Sequence, residues 1–447
     1  MNRRSALGLL IAVLVVAFCL SPQFRAIYQL PPHMRIIEGE TAIFTVNFPM
    51  ILTVNHDQTF RIQSPLTGFS FSQPVSLEPV KLGRATVEFK LLGLIPVRTV
   101  QVDVLPPIKL VPGGHSIGVV LHSQGVIVVG NSPVLTDTGQ NATPAKDAGM
   151  AVGDVILSIN GTPVHSDAQV AEIIDSTGRE HQPVDLLVKR GDSRINLSVT
   201  PVLCSETKRY RVGLFVRDSA AGVGTLTFYD PQTNTYGALG HVITDSDTNQ
   251  PIDCEQGKIV MATVSGIQQG KRGQPGEKIG LFIEEDQILG NIQKNTQFGI
   301  YGQLTAPLAA KSKEEALPVA SMSQVQTGPA EILTVVDGQQ IEHFRIEIQK
   351  VNLQETPEGK GLVIKVTDPR LLEKTGGIVQ GMSGSPILQN GRIVGAVTHV
   401  FVHDPTRGYG CFVDWMLMES GLIPKKEKHA ARRLFTFSGP IFLCKIS

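Results

Sequence analysis

Apolar residues recur at every second position through most of this chain, and stretches with helical spacing are few. Between residues 34 and 107 the runs Ala42 to Val46, Met50 to Val54, Thr86 to Leu91 and Val97 to Val104 alternate, or are β-branched, between Gly/Pro breaks. Thr99, Gln101 and Asp103 interleave with Val100, Val102 and Val104, which predicts a strand with one wet face. This segment is predicted to be a small β domain of spacer or docking type. Leu105-Pro106-Pro107 to Pro112-Gly113-Gly114 follows as a linker.

Beyond the linker, Ser116 to Val120 and Gly125 to Gly130 are predicted as two strands. Val155 to Ile159 leads to an Asn160-Gly161 turn, Ala168 to Ser176 has helical spacing, and Val184 to Arg190 and Arg194 to Pro201 are again strands. From Arg209 onward the strand pattern dominates. It covers Tyr210 to Val216, Gly224 to Tyr229, Gly240 to Thr244, Lys258 to Gly266, Ile279 to Phe282, Phe298 to Leu304, Ile332 to Val336, Phe344 to Val351 and Gly361 to Val366. Closely spaced strands without crossover helices indicate antiparallel barrels or a sandwich.

Composition agrees with a mainly β chain: 44 glycines and 28 prolines against only 6% aromatics give many turns and short strands. Its 447 residues suit two to four domains, and 42% hydrophobic residues supply ample core. With 40 basic and 40 acidic residues the formal charge is zero, so there is no electrostatic case for nucleic acid. The five cysteines are widely spaced, which argues against a zinc site; one or two disulfides stay open. His399, His403 and Asp404 are read as surface or pocket residues and not as a metal site, and no cofactor is expected. Gly266-Ile267-Gln268-Gln269-Gly270-Lys271-Arg272 fails as a phosphate loop, being one residue short and lacking Ser or Thr after the lysine.

At the N-terminus, Arg3 and Arg4 precede the unbroken apolar run Ala6 to Leu20. The run is short for a span of about 20 residues, but no small-x-small cleavage site closes it. An uncleaved signal anchor over 1–24, with the body outside the cytoplasm, is favoured over a cleaved signal peptide.

Candidate chemistry centres on Gly381-Met382-Ser383-Gly384-Ser385-Pro386. A serine between glycines suits a nucleophile on a tight loop, whose free Gly381 and Ser383 amides would face an oxyanion. Upstream, His241 follows Tyr236-Gly237-Ala238-Leu239-Gly240; a neutral imidazole is the usual base for a serine hydroxyl. The serine loop resembles that of chymotrypsin-like serine peptidases, in which histidine also precedes serine, with Ser385 replacing the second glycine of the common form. That resemblance implies a double β-barrel peptidase domain, placed here at 207–422.

Pro144-Ala145-Lys146-Asp147-Ala148-Gly149-Met150-Ala151-Val152-Gly153-Asp154, with the apolar strand and Asn-Gly turn behind it, resembles a PDZ domain of the kind appended to proteases, over 113–203. Such domains bind extended peptides by adding a strand to an open edge. Ser116, Ile117, Gly118 and Val119 are the expected peptide-binding amides.

Taken with Val223-Gly224-Thr225-Leu226-Thr227-Phe228-Tyr229 and Asp404-Pro405-Thr406-Arg407-Gly408-Tyr409-Gly410, the chain from about residue 5 to 422 is similar to the stage IV sporulation protein B family of peptidases. The resemblance implies a self-processing, membrane-tethered signalling serine endopeptidase of endospore formers, exported into the forespore intermembrane space. Its implied protein substrate is a membrane-bound regulator of an intramembrane metalloprotease that activates a sigma factor. Its PDZ segment would engage its own N-terminal region or another copy. The implied catalytic residues are Ser383, His241 and Asp368, although the residues alone leave Asp245 and Asp247 open as the acid. Tyr409, Gly410 and Phe412 line the cleft or pack the strand. The competing class is a non-catalytic PDZ scaffold, and the basic and apolar tail 423–447 is read as an extension or a weak lipid contact.

Overall fold

The computed structural model describes residues 21, 24, 27, 28, 30, 32–39, 42–47, 49–55, 59–63, 72–282, 288–305, 314–354 and 356–424. The run Ala6 to Leu20 and the tail from Lys425 lie outside the described residues. Among those described, no helix is long and apolar enough to cross a membrane.

The protein is mainly β. In the N-terminal domain a four-stranded sheet, in the order His33–Ile37, Ile95–Leu105, Gly83–Leu91, Met50–Asn55, faces a three-stranded sheet of Ala42–Asn47, Ser72–Pro79 and Phe60–Gln63. The period-two pattern explains it, since Val100, Val102 and Val104 are buried with Val87 and Phe89 of the neighbouring strand and Leu77 of the facing sheet.

The expected linker is instead partly a strand. Lys109–Pro112 pairs with Leu214–Tyr229 on one side and Leu317–Pro318 on the other, burying Leu110 and Val111. The two apolar side chains outweigh the turn bias of the flanking prolines. Ser116 to Val120 and Gly125 to Gly130 are likewise not two strands. They form a single strand, Ser116–Asn131, that runs beside the equally long Leu214–Tyr229. Gly125 carries the bend, with φ +84° and no room for a Cβ, which would stand 2.4 Å from the Ile156 carbonyl oxygen.

This pair of strands belongs to two units. Its Val126–Ile127 end pairs with Val155–Ile159, and the helix Asp167–Arg179, capped by Ser166, lays Val170 and Ile174 into the same core as Val126, Val128 and Ile156. The other end pairs with Cys254–Met261 and carries the second core. Of the two barrels expected in the peptidase domain, one closes, from six strands between Gly328–Val335 and Asp404–Phe412. Most strands of the other half join the thirteen-stranded sheet shared with the helix-bearing unit, while Thr263–Gln268 and Glu277–Leu281 pair as a separate two-stranded sheet. Cys204, Cys254 and Cys411 are free thiols.

The barrel ends in the helix Val413–Ser420, against which the N-terminal domain docks through Arg35 and through Ile37, buried in the same apolar cluster as Leu417 and Met418. Arg35 places its guanidinium 3.8 Å from Asp414 Oδ1, over the Trp415 ring, and donates to Met418 Sδ at 2.8 Å. Asp414 Oδ2 has no hydrogen-bond partner. Burial therefore outweighs the Arg35 charge and pushes the Asp414 carboxyl up to about 6. An acid whose folded value is raised stabilises most below its unfolded value of 3.8, and the benefit is lost as pH rises through about 6. Asp414→Asn is expected to flatten the loss of thermal stability between about pH 4 and 6. An unchanged slope in differential scanning calorimetry would remove Asp414 as its source.

Candidate active site

The loop 379–385 and the segment around His241 meet at the strand Leu214–Tyr229, and Thr225 holds both. Its amide donates to the Ser383 carbonyl at 3.0 Å, its carbonyl accepts from Leu239 N at 3.2 Å, and its hydroxyl donates to the Gly381 carbonyl at 2.7 Å. Two residues on, the same face of the strand presents Thr227, whose hydroxyl donates to the Gly384 carbonyl at 2.7 Å. Both threonines are buried.

Gly384 explains why the loop needs glycine. It sits at φ +94°, and a Cβ there would stand 2.1 Å from Thr225 O and 2.4 Å from Leu239 N. On the histidine side, Leu239 at φ +71° and Gly240 at φ +72° are consecutive left-handed residues, which turn the chain out of the strand Thr235–Ala238. A leucine in that region carries roughly 1 kcal/mol of strain. The expected strand Gly240 to Thr244 is therefore a turn, and it is this turn that delivers His241 to the cleft.

The cleft has a volume of about 1130 Å3 and is lined by His241, Ser383, Gly381, His399, Lys360 and the strand segment Ala220 to Val223, among others. His241 and Ser383 are thus brought to one cavity. In this resting arrangement Ser383 Oγ donates to the Thr398 carbonyl at 2.8 Å, and no hydrogen bond joins it to the imidazole. Nδ1 of His241 lies 2.8 Å from the Val242 carbonyl. A carbonyl can only accept, so Nδ1 carries the proton and Nε2 keeps its lone pair. Burial lowers the His241 pKa, partly opposed by the Val242 bond, which favours that neutral ring at physiological pH.

The amides expected to face an oxyanion are oriented by their own peptide planes. The Gln380 carbonyl accepts from Lys278 N at 2.9 Å and the Met382 carbonyl from Ser385 N at 2.9 Å. In a trans peptide the N–H points opposite to the C=O, so the Gly381 and Ser383 amides point away from those donors. Neither amide donates in any hydrogen bond among the described residues. Two adjacent unpaired donors at a cleft are an anion site in waiting.

Asp368 is not brought to His241. It caps the helix Pro369–Thr375 and accepts from Arg370 N, the Arg370 side chain and Arg345 N. Hydrogen bonding to Arg370, with the other bonds behind it, holds its carboxyl below the usual range. The two alternatives are also engaged elsewhere. Asp245 accepts from Asp247 N, Thr248 N and Arg217, and Asp247 pairs with Arg217 at 2.8 Å. Asp-Pro at a helix start and Asp in a tight turn are strong local structure formers, which is why three plausible acids are all consumed by caps and turns.

Ser116 to Val119 are not an open edge either. Their strand pairs with Leu214–Tyr229 on one side and, from Ile117 onward, with Cys254–Met261 on the other, and all four residues are buried. A Cβ on Gly118 would stand 2.5 Å from the Phe282 ring. The outer edge of Leu214–Arg217 pairs with no strand among the described residues and lies beside the helix Asp167–Arg179, with Gly213 at φ +79° before it and Phe215 58% exposed.

Sequence reading missed two participants and had His399 as a surface or pocket residue, which is where it stands. Thr225 and Thr227 stand in a motif that shows only alternation. His399 lies 5.1 Å from His241, ring to ring. Loss of water on its cleft side, then repulsion from His241 and Lys360, favours its neutral form, a shift limited by the water on its exposed side. Among the described residues no three His, Cys, Asp or Glu side chains are grouped to hold a metal. Gly410 and Phe412 are buried in the barrel wall, and Tyr409 packs against Phe401 with ring centroids 4.6 Å apart and planes tilted by 55°.

A serine loop on a closed barrel, a histidine from the facing half and a helix-bearing unit with an open strand edge define a PDZ-containing serine peptidase. Residues 208–417 match the family model of SpoIVB peptidase S55 and residues 137–190 that of the PDZ domain, so the chain carries a peptidase domain of the SpoIVB S55 family and a PDZ domain. It is also similar to serine protease HTRA1 of Xenopus laevis, 41% identical over 59 residues, which are 13% of this chain and 12% of that protein. The putative serine protease HhoA of Synechocystis sp. is 41% identical over 58 residues, 13% of this chain and 14% of that one. The chain therefore spans about an eighth of the length of the curated relatives it matches. Among solved structures, the Rv3671c protease of M. tuberculosis in its active form aligns with 46% of this chain and 76% of its own, at 14% identity and TM-score 0.26. The PDZ domain of an SdrC-like protein of Listeria monocytogenes aligns with 21% and 87%, at 22% identity and TM-score 0.17.

Gly384→Ala is expected to lose about 3 kcal/mol or more of stability, because no rotamer relieves a Cβ clash with two backbone atoms. Urea denaturation showing a loss under about 1 kcal/mol would mean that the two loops are not locked together at this point.

Proposed function

We propose that the chain hydrolyses peptide bonds through an acyl-enzyme, with Ser383 as nucleophile and His241 as base. The observation that carries this reading is the pair of unpaired Gly381 and Ser383 amides on the loop that shares a cleft with an Nδ1-protonated His241. On substrate binding, Ser383 Oγ exchanges its Thr398 bond for one to His241 Nε2. The proton passes to Nε2 as Oγ attacks the carbonyl carbon, and the two amides take the oxyanion. The imidazolium then returns the proton to the leaving amine, and water repeats the sequence on the ester. The Val242 carbonyl holds the tautomer, the task a carboxylate performs in the usual triad.

The finer reading is a signalling peptidase, tethered to a membrane by Ala6 to Leu20, that processes itself and cleaves a membrane-bound inhibitor during endospore formation. Its support is the match to SpoIVB peptidase S55 and the apolar run itself. The forespore intermembrane space is the compartment this reading implies. Peptide recognition, of the protein's own N-terminal region or of another copy, is assigned to the open edge Leu214–Arg217, where an added strand would lie against the helix Asp167–Arg179.

Ser383→Ala is expected to abolish both peptide hydrolysis and labelling by a serine-directed phosphonate. Hydrolysis surviving in the purified variant would sink the assignment and favour a non-catalytic PDZ scaffold. Because burial lowers the His241 pKa, kcat should fall with acidification only below pH 6.5, as the base becomes protonated. Asp368→Asn should lower the thermal midpoint, through its helix cap and Arg370 pair, while kcat changes by less than about tenfold. An inactive Asp368→Asn with an unchanged midpoint would restore Asp368 as the orienting acid.

A further inference from the structure

The hairpin tip of the N-terminal domain breaks the rule that otherwise governs this fold. Between Gly83–Leu91 and Ile95–Leu105 the turn is Leu92-Gly93-Leu94, with Leu92 at φ +52° and Leu92, Leu94 and Ile95 exposed to 59%, 83% and 60%. Such a turn is ordinarily built from Asn, Asp and Gly, and a left-handed leucine is strained. Ile51, 48% exposed, stands against Gly93 and widens the apolar patch.

The chain before the first strand runs towards this tip. His33–Ile37 is parallel to Ile95–Leu105, with His33 opposite Gln101, so residues preceding His33 pass the early part of that strand. Pro32 O accepts from Gln101 N, Leu30 O accepts from Arg98, and Tyr28, 60% exposed, lies under the Arg98 guanidinium and stacks on Phe24. The order Gln101, Arg98 is therefore the direction in which the described residues run from Pro32 back to Tyr28, towards the Ile95 end of that strand. Aromatic rings beside an arginine, between an apolar run and apolar loop tips, have the composition of a membrane interface.

We propose that the tip Leu92–Ile95, with Ile51 and Tyr28, inserts into the lipid surface that the N-terminal run enters. The inference rests on the anchored reading above. The tip fixes the β domain on the bilayer, so the peptidase is held at a set height and not on a free tether. The full chain in phosphatidylcholine/phosphatidylglycerol vesicles tests it, since Trp415, the protein's single tryptophan, is buried in the peptidase domain. Leu94→Trp should be quenched by brominated lipid, and Leu82→Trp, at the other end of the same hairpin, should not. A chain that floats with the vesicles while Leu94→Trp stays unquenched overturns the tip and leaves the anchor standing. A chain that does not float removes both.

An independent observation concerns Lys278. It is fully buried beside the serine loop, with Nζ 2.7 Å from Thr334 Oγ1 and 3.5 Å from Thr225 Oγ1, its stem against Gly381, and no ion pair among the described residues. A well-packed methionine would stabilise such a site better than an unpaired ammonium. We infer that Lys278 is a positioning residue for the oxyanion amides, acting through Thr225 on Gly381; this rests on the peptidase reading. A protonated Nζ can only donate, which leaves the Thr225 hydroxyl proton to the Gly381 carbonyl. A neutral amine offers a lone pair that competes for that proton. Burial pushes the Lys278 pKa down to about 7, so the loop loosens as pH rises through that value.

The groups facing Nζ, Thr225 and Thr334, are both uncharged. Lys278→Met should therefore lower kcat roughly 10- to 100-fold at pH 6.5, keep or raise the thermal midpoint, and lack the alkaline decline near pH 7. An unchanged kcat and pH profile overturns the role, whereas activity in Ser383→Ala would instead overturn the peptidase reading. Should Lys278→Met fail to fold, Thr334→Val decides. Its loss of an acceptor should move the decline to lower pH, and an unmoved decline refutes the inference.

Discussion

The site depends on the backbone of one residue. Thr225 gives its amide to the serine loop and its carbonyl to the turn before His241, so the two segments that must meet are measured from the same peptide groups. Ser383 lies 158 residues beyond Thr225 and 142 beyond His241 along the chain (383 minus 225, and 383 minus 241). Each bond is worth only about 1 kcal/mol net, but all are buried, and breaking one leaves a polar group without water. A buried peptide clamp of this kind resists small displacements, which is what an amide pair aimed at an oxyanion requires.

Glycine is the counterpart of the clamp. Gly384 lets Thr225 O and Leu239 N approach, Gly224 leaves room for the Leu239 side chain, and Gly240 completes the turn into His241. The strain of Leu239 is tolerated because its side chain is buried and its amide is bonded to Thr225. The Ser383 and His241 side chains themselves make few bonds; the rigidity lies in what stands behind them.

The strands of the N-terminal domain were legible because one face of each is buried and alternation survives, as at Val100, Val102 and Val104. Ser383 and His241 could be picked out because few residue types can act as nucleophile and base, and the fold brings both to one cleft. What alternation does not encode is which edge of a strand is taken. Ser116 to Val119 have the composition of an open edge, yet their pairing partners come from residues 214–229 and 254–261, which only the assembled sheet reveals. The three aspartates are bonded away from the imidazole for a related reason. A carboxylate beside a turn is as well suited to capping amides as to holding an imidazole, and local bonds are made first. The orienting group that remains, the Val242 carbonyl, is a backbone atom and leaves no mark on the sequence.

The open edge Leu214–Arg217 and the Thr225 clamp lie on the same strand, Thr225 roughly 36 Å at most beyond Leu214, at about 3.3 Å per residue. A peptide added at the edge can alter the clamp only if it binds two arrangements of that strand unequally. Arg217 is where such a difference would be felt. It stands in the open edge, and its guanidinium bonds Asp245 and Asp247 in the turn that follows His241. Asp245 is buried and also holds the amides of Asp247 and Thr248, so Arg217 cannot shift without disturbing the loop that carries the base. Asp245 and Asp247 thus tie the histidine segment to the open edge Leu214–Arg217, and the imidazole is left to the carbonyl of its own neighbour.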